Sequence, residues 1–336
     1  MKVPQRLKQS REFGIFLILL AVCIIVTVAA PSFFSIENLF DILKGNVVLA
    51  IMAIGMLPVI LTGGIDVSVG SMVAAVTIIV GNFLMKGSDS ILLAFVVGCL
   101  SGALLGLING LLIAKLKIPP IVATLGMMSI ISGISLYYTN GNWITGLPKS
   151  FIDFGRTTLG SFYQQGDEMI GLPVQLVFLV FVAVLSWFIL RHTLVGRGIY
   201  ALGGNRVSAE RVGYNVDNIT VFLYAYEGFV VGLAGVVHTS IMRQVDPNAF
   251  NGFEMQVISA VVLGGASTLG GYGSVTGTLI GVALFAVINN GLILMHIPTF
   301  WQKIVVGIVL IASISFDVTQ KKYWESHNTK VDIEEA

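Results

Sequence analysis

Apolar runs long enough to cross a bilayer recur along almost the whole chain, and they limit its fold more than any other feature. A spanning helix needs about 20 mainly apolar residues, because the hydrocarbon layer offers backbone N–H and C=O groups no water partner. Ten runs lie near 13–30, 45–62, 67–85, 91–114, 119–138, 172–190, 219–241, 255–267, 276–295 and 301–317. The eighth is too short to cross alone, and Gly-rich 264–273 separates it from the ninth, a pattern that reads as a broken or half-crossing helix. The expected fold is all-α, a polytopic transmembrane helical bundle of about ten spans.

Composition supports the same solvent. Of 336 residues 55% are hydrophobic and 11% charged, against roughly 25% charged in a soluble domain, so too few charges exist to cover a water-facing surface. The 38 glycines fall largely inside apolar stretches, which suits close packing of helices in lipid. A net charge of +1 lacks the basic excess that nucleic-acid binding requires, and that partner is excluded. Cys23 and Cys99 each sit in an apolar run, without the spacing of a disulfide framework or a metal or redox pair, and read as packing residues. The basic lead Lys2, Arg6, Lys8 and Arg11 precedes a run that is long for a signal peptide and is followed by further spans, so it reads as an uncleaved first span.

Loop charges set a testable orientation, because Lys and Arg favour the cytoplasmic side. With the N-terminus inside, ten spans place Lys115, Lys117, the 191–218 loop (Arg191, Arg197, Arg206, Arg211) and the tail lysines Lys321 and Lys322 inside. The same count places the loops at 31–44, 86–90, 139–170 and 242–254 outside, and these carry Glu37, Asp41, Asp89, Asp153, Asp167, Glu168 and Asp246. Both termini are expected in the cytoplasm. The domain reading is a cytoplasmic segment 1–12, a transmembrane domain 13–317 containing the 191–218 loop, and a cytoplasmic tail 318–336.

The chain has no motif for chemistry of its own. The closest approach to a phosphate-binding loop, Gly141 to Gly146, is followed by Leu147 and Pro148 before Lys149 and Ser150, which misplaces the lysine. Gly271, Gly273 and Gly277 miss the dinucleotide spacing, and His192, His238, His296 and His327 are scattered singly, so no metal site is expected. An intramembrane enzyme would need paired carboxylates, a Ser/His pair or a ligand cluster, and none is present in the sequence.

Three segments carry information. In Leu61-Thr62-Gly63-Gly64-Ile65-Asp66-Val67-Ser68-Val69-Gly70-Ser71, paired glycines and a lone acid interrupt an apolar stretch. Asp66 is compatible with two roles: capping the third span by accepting N–H groups at Ser68 or Val69, or lining a pathway of unwound backbone where, with Ser68, it meets solute hydroxyls. The second segment runs from Arg191 to Gly213, and its centre reads as a short loop helix with Asn205 or Ser208 as N-cap and Gly213 as stop. Ala209 on such a helix offers a small face that another protein can grip. The third, Val261 to Thr278, is a Gly-rich turn between spans that serves either helix packing or a hinge.

Together with Asn109-Gly110, the run Lys117-Ile118-Pro119-Pro120-Ile121-Val122-Ala123-Thr124-Leu125-Gly126, and Gln302, these segments resemble the motifs of ribose/galactose-type permeases of bacterial ABC importers, in order from about residue 13 to 317. Asn142-Trp143-Ile144-Thr145-Gly146-Leu147-Pro148 resembles the rhamnose and autoinducer branch. The resemblance implies a subunit of the bacterial inner membrane that pairs with a second copy or a paralogue. It implies solute delivered by an extracytoplasmic solute-binding protein and work done by a separate ATPase with two fused nucleotide-binding domains. No cofactor is then held on this chain, and ATP and Mg belong to that ATPase. Gly203, Gly204, Asn205, Ala209, Glu210 and Gly213 match the family's coupling helix, with Ser208 and Arg211 beside them.

One position departs from that pattern, since Glu227 stands where the family carries a small hydroxyl residue. A carboxylate inside a span costs roughly 2.5–3.5 kcal/mol on insertion scales. It is compatible with a functional role or with a protonated packing donor. Asn109, Thr124, His238, Gln256, Asn289 and Asn290 are further polar groups within spans, each able to serve as helix-to-helix glue. Asp66, Ser68, Asn109, Thr124, Glu227, Gln256 and Asn289 form the expected solute pathway. An ion-coupled secondary transporter using Asp66 or Glu227 is the alternative reading.

Overall fold

The computed structural model describes residues 11–165, 168–298, 300–305 and the positions 307, 308, 311, 315 and 319. Most of the expected N-terminal segment and cytoplasmic tail lie outside the described residues, as does much of the tenth run beyond a helical stretch at 300–305. The helices are α1 (Arg11–Ala29), α2 (Ile36–Leu61), α3 (Val69–Met85), α4 (Ile91–Ala114), α5 (Pro120–Thr139), α6 (Lys149–Arg156), α7 (Gln175–His192), α8 (Leu194–Gly204), α9 (Arg206–Arg211), α10 (Val216–Met242), α11 (Phe253–Leu263) and α12 (Val275–Leu294). Seven of these, α1, α2, α4, α5, α7, α10 and α12, are long and apolar enough to cross a membrane, while α3 and α11 are shorter apolar helices. The eighth run is thus an 11-residue helix, rising only about 16 Å at 1.5 Å per residue.

Local sequence chooses where the helices begin. Ser35, Ser90, Asn215 and Ser274 each accept the N–H three residues on, satisfying a donor that the first turn leaves free. The Ser35 cap starts α2 at Ile36 rather than near 45, because Glu37, Asp41 and Lys44 depress hydropathy without breaking the helix. The 139–170 loop is more ordered than its composition suggested. It contains α6, whose Phe151 is fully buried, and most of an antiparallel hairpin of β1 (Thr158–Gln165) and β2 (Glu168–Pro173). Lys149 and Ser150 open α6 as ordinary helical residues.

The core forms around α2 and α10, the two most buried crossing helices. α10 packs antiparallel against α4 along a seam of small residues: Gly98 meets Val236 and Gly232, Gly102 meets Gly228 and Gly232, Gly106 meets the Tyr224 carbonyl and Gly228, and Gly110 meets Val221. Glycine at every fourth position lets two backbones touch, which replaces hydrophobic driving force by dispersion when lipid is the solvent. α2 and α12 are joined by a reciprocal amide pair, Asn38 Nδ2 to Asn290 Oδ1 at 3.0 Å and Asn290 Nδ2 to Asn38 Oδ1 at 2.7 Å. Asn290 therefore acts as glue.

The two ends of the bundle differ. One, here the loop end, gathers the C-terminus of α2, the helices α8 and α9, the Gly-rich turn before α12, and Lys117 and Lys115 paired with Asp217. The other carries α6, the hairpin and a β-bridge between Ile144 and Val245.

Candidate functional site

The break between α2 and α3 is held open by backbone that only glycine adopts readily, with φ +77° at Gly63. It delivers Asp66 to the N-terminus of α3, completely buried. Asp66 Oδ1 accepts from the Ser68 N–H at 2.7 Å and the Ser68 hydroxyl at 2.6 Å, and Oδ2 accepts from Asn109 Nδ2 at 3.0 Å. The same Asn109 amide lies 2.8 Å from Ser68 Oγ, and Thr124 Oγ1 accepts the Val67 N–H at 3.2 Å. Asp66, Ser68, Asn109 and Thr124, drawn from the break, α4 and α5, thus form one sealed cluster, each fully buried. The carboxylate forms a turn onto the N–H of Ser68, the residue just before α3, and no side chain caps the first turn of that helix.

Glu227 faces inward from α10, fully buried, and neither of its carboxyl oxygens has a hydrogen-bond partner among the described residues. The Tyr224 hydroxyl, one helical turn earlier, and Asn109 Oδ1 are also buried and unpartnered. The Tyr224 hydroxyl lies 3.1 Å from where a Gly64 Cβ would stand, beside the break that carries Asp66. Tyr224 was not among the expected pathway residues, although its i, i+3 spacing from Glu227 puts both on one helical face. α3, α4, α5 and α10 carry no Lys or Arg, and the lysines after α4 engage Asp217 at the loop end. The buried cluster and its neighbours thus hold unpartnered acceptors and no cation from these four helices.

The other expected pathway residues lie apart. Gln256 on α11 and Asn289 on α12 are half-buried and make no hydrogen bond to the cluster among the described residues. His238 packs edge-on against Phe250, with ring centroids 4.5 Å apart. Among the described residues no three His, Cys, Asp or Glu stand together as a metal site would require.

The 191–218 loop holds two helices where one was expected. Thr193 caps α8 by accepting the Gly196 N–H at 3.0 Å. Asn205, and not Ser208, caps α9: its Oδ1 accepts the Ser208 N–H at 2.9 Å. Gly213, at φ +98°, follows the end of that helix. Asn205, Arg206, Val207, Ser208, Glu210, Arg211 and Val212 are exposed, and Arg206 pairs with Glu210 at 3.7 Å. Ala209 does not present the small outward face expected of it. It is 4% exposed, turned into this chain's own body, and offers no grip to another protein. Gly204 and Gly213 have open space around them, but Gly203 packs on the backbones of Leu61 and Gly271. Tyr200 donates to the Gly273 carbonyl at 2.8 Å, and burial, with the Glu12 carboxylate and Tyr272 nearby, raises its pKa above the ordinary tyrosine value.

Long apolar helices wrapped around a sealed polar cluster, with a polar pair of loop helices at one end, define a multi-pass membrane protein. The chain belongs to the family described as the branched-chain amino acid transport system / permease component, whose model matches residues 38–314. Membership makes it a transport component rather than an enzyme. It is 40% identical over 307 residues to the ribose import permease protein RbsC of Bacillus subtilis (strain 168), covering 91% of this chain and 92% of that one. It is 33% identical to the D-allose transport system permease protein AlsC of Escherichia coli (strain K12), covering 91% of each chain. It is also 33% identical to the autoinducer 2 import system permease protein LsrC of Yersinia pseudotuberculosis serotype O:1b (strain IP 31758), covering 93% of this chain and 86% of that one. No solved structure matches the chain.

Proposed function

We propose that this chain is the membrane-spanning permease subunit of an ATP-driven importer of the bacterial inner membrane, carrying a sugar or sugar-like solute inward by alternating access. The observation that carries the reading is the 40% identity, over 91% of the chain, to a protein named as a ribose import permease. The relatives named for allose and autoinducer 2 extend the solute class to small polyhydroxylated molecules. A cation-free, acceptor-rich cluster of Asp66, Ser68, Asn109, Thr124, Tyr224 and Glu227 suits that class, because hydroxyls donate to it in turn as the two sides open.

The partners in this reading are an ATPase with two fused nucleotide-binding domains, which holds ATP and Mg, an extracytoplasmic solute-binding protein, and a second permease copy or paralogue. The loop end faces the cytoplasm. There the exposed face of α9, with Asn205, Ser208, Glu210 and Arg211, receives the ATPase, while Ala209 anchors α9 to the bundle from behind. The test is solute uptake into proteoliposomes holding the permease, with and without the ATPase and the binding protein. Uptake that requires both is the expected result. Uptake that persists without the ATPase and collapses when the proton gradient is dissipated would overturn the reading in favour of ion coupling.

A further inference from the structure

Three segments remote in sequence meet at one point of the loop end, backbone to backbone. Gly203, near the end of α8, lies so close to the Leu61 carbonyl and to Gly271 that a Cβ there has no space. Gly271 in turn donates its N–H to the Leu61 carbonyl at 2.8 Å. A Cβ on Gly270 (φ +86°) would stand 3.0 Å from Gly203 Cα and 3.0 Å from Gly63 N, so the turn before α12 also touches the α2–α3 break. One turn before Gly203, the Tyr200 hydroxyl bonds the Gly273 carbonyl at 2.8 Å. The helix α8 is therefore fixed at two of its residues to the turn before α12, and at one of them to the end of α2.

Such a junction is stiff. Glycines leave no side chain between the backbones to rotate and absorb movement, and close-packed interiors respond to displacement by shifting as units. On one side of the junction α9 follows α8 directly through the Asn205 cap. On the other, Gly63 is three residues from Asp66, whose carboxylate holds Ser68 and Asn109. We propose that Tyr200 and Gly203 are positioning residues that carry a displacement of α8 and α9 through the Leu61–Gly63 and Gly270–Gly273 backbones to the Asp66 cluster. The loop helices thereby set whether that cluster is sealed or open. This rests on the reading of α9 as the ATPase contact and adds the route by which that contact reaches the pathway. Tyr200 contributes a removable hydrogen bond, and Gly203 contributes the absence of a side chain.

The test uses the full complex of permease, ATPase and binding protein in proteoliposomes, reading solute imported per ATP hydrolysed. For Gly203→Ala the ATPase should still co-purify and hydrolyse ATP at a near-normal rate, while solute per ATP falls about tenfold, the size of an ordinary coupling free energy. Tyr200→Phe removes a single bond without altering shape and should lower the same ratio by a smaller factor, so the inference remains testable if the glycine variant misfolds. A wild-type ratio in Tyr200→Phe, or hydrolysis and import falling in parallel in a folded Gly203→Ala complex, would overturn the relay alone. A wild-type permease that fails to retain its ATPase would overturn the docking reading and the relay together.

Discussion

Removing the Asp66 carboxylate strands the buried Ser68 N–H and takes one acceptor each from the Ser68 hydroxyl and the Asn109 amide, which keep Met72 Sδ and Ser68 Oγ. Asp66→Ala is expected to destabilise the purified protein by about 1–3 kcal/mol, the cost of leaving a buried donor without an acceptor. A thermal-melting series in detergent reads this directly, and an unchanged midpoint would show that the Asp66 bonds add no stability. Glu227 has no such partners to strand. Glu227→Gln keeps its shape and cannot ionise, so it should melt at or above the wild-type temperature and retain import. Glu227→Leu should fold but import slowly, which a transport assay separates from any loss of stability. Asp66 was legible in the sequence because a lone acid ahead of a helical run is a local signal. Its bond to Asn109 was not, because nothing local records a contact between residues 43 apart in sequence. Tyr224 was hidden for another reason: aromatic residues are so common in apolar helices that only the position of Glu227 marks this one.

At the scale of elements, the seam between α4 and α10 rejects side chains. Gly102→Val or Gly106→Val would drive a branched side chain into the Gly228 or Tyr224 carbonyl, an overpacking that costs about 1–3 kcal/mol and sometimes more. Loss of monodisperse protein on size exclusion is the expected readout, and normal elution would argue that the helices separate readily. The α9 helix gives a paired test. Glu210→Lys should abolish ATPase co-purification while leaving the membrane protein intact, whereas Ala209→Arg should reduce folded yield before docking is ever reached. The long helices were legible because hydropathy follows length. The hairpin was not, because its strands carry too little apolar alternation to stand out from a polar loop. Nor was the start of α2, set by the Ser35 cap in a stretch whose charges resemble a loop.

For the whole molecule, orientation is the accessible test. With Cys23 and Cys99 replaced by alanine, a cysteine placed at Ser208 should label only from the cytoplasmic side and one at Asn142 only from the outer side. Labelling of both from one side would invert or break the proposed topology. The short helices have a consequence for how the chain is made. α3, with 17 residues, rises about 25 Å and α11 about 16 Å, both less than the roughly 30 Å hydrocarbon layer. α11 cannot cross alone and α3 lies at the short end of spanning helices, so each relies on neighbours to shelter its ends. For α3 one such neighbour is α10, whose Gly235 packs on Val76 and whose Val230 meets Gly55 of the preceding helix. That shelter is synthesised long after α3 has left the ribosome. Biogenesis must therefore hold an incomplete bundle until its second half arrives, and a nascent chain that stops before residue 216 would be a substrate for membrane proteases rather than a smaller permease.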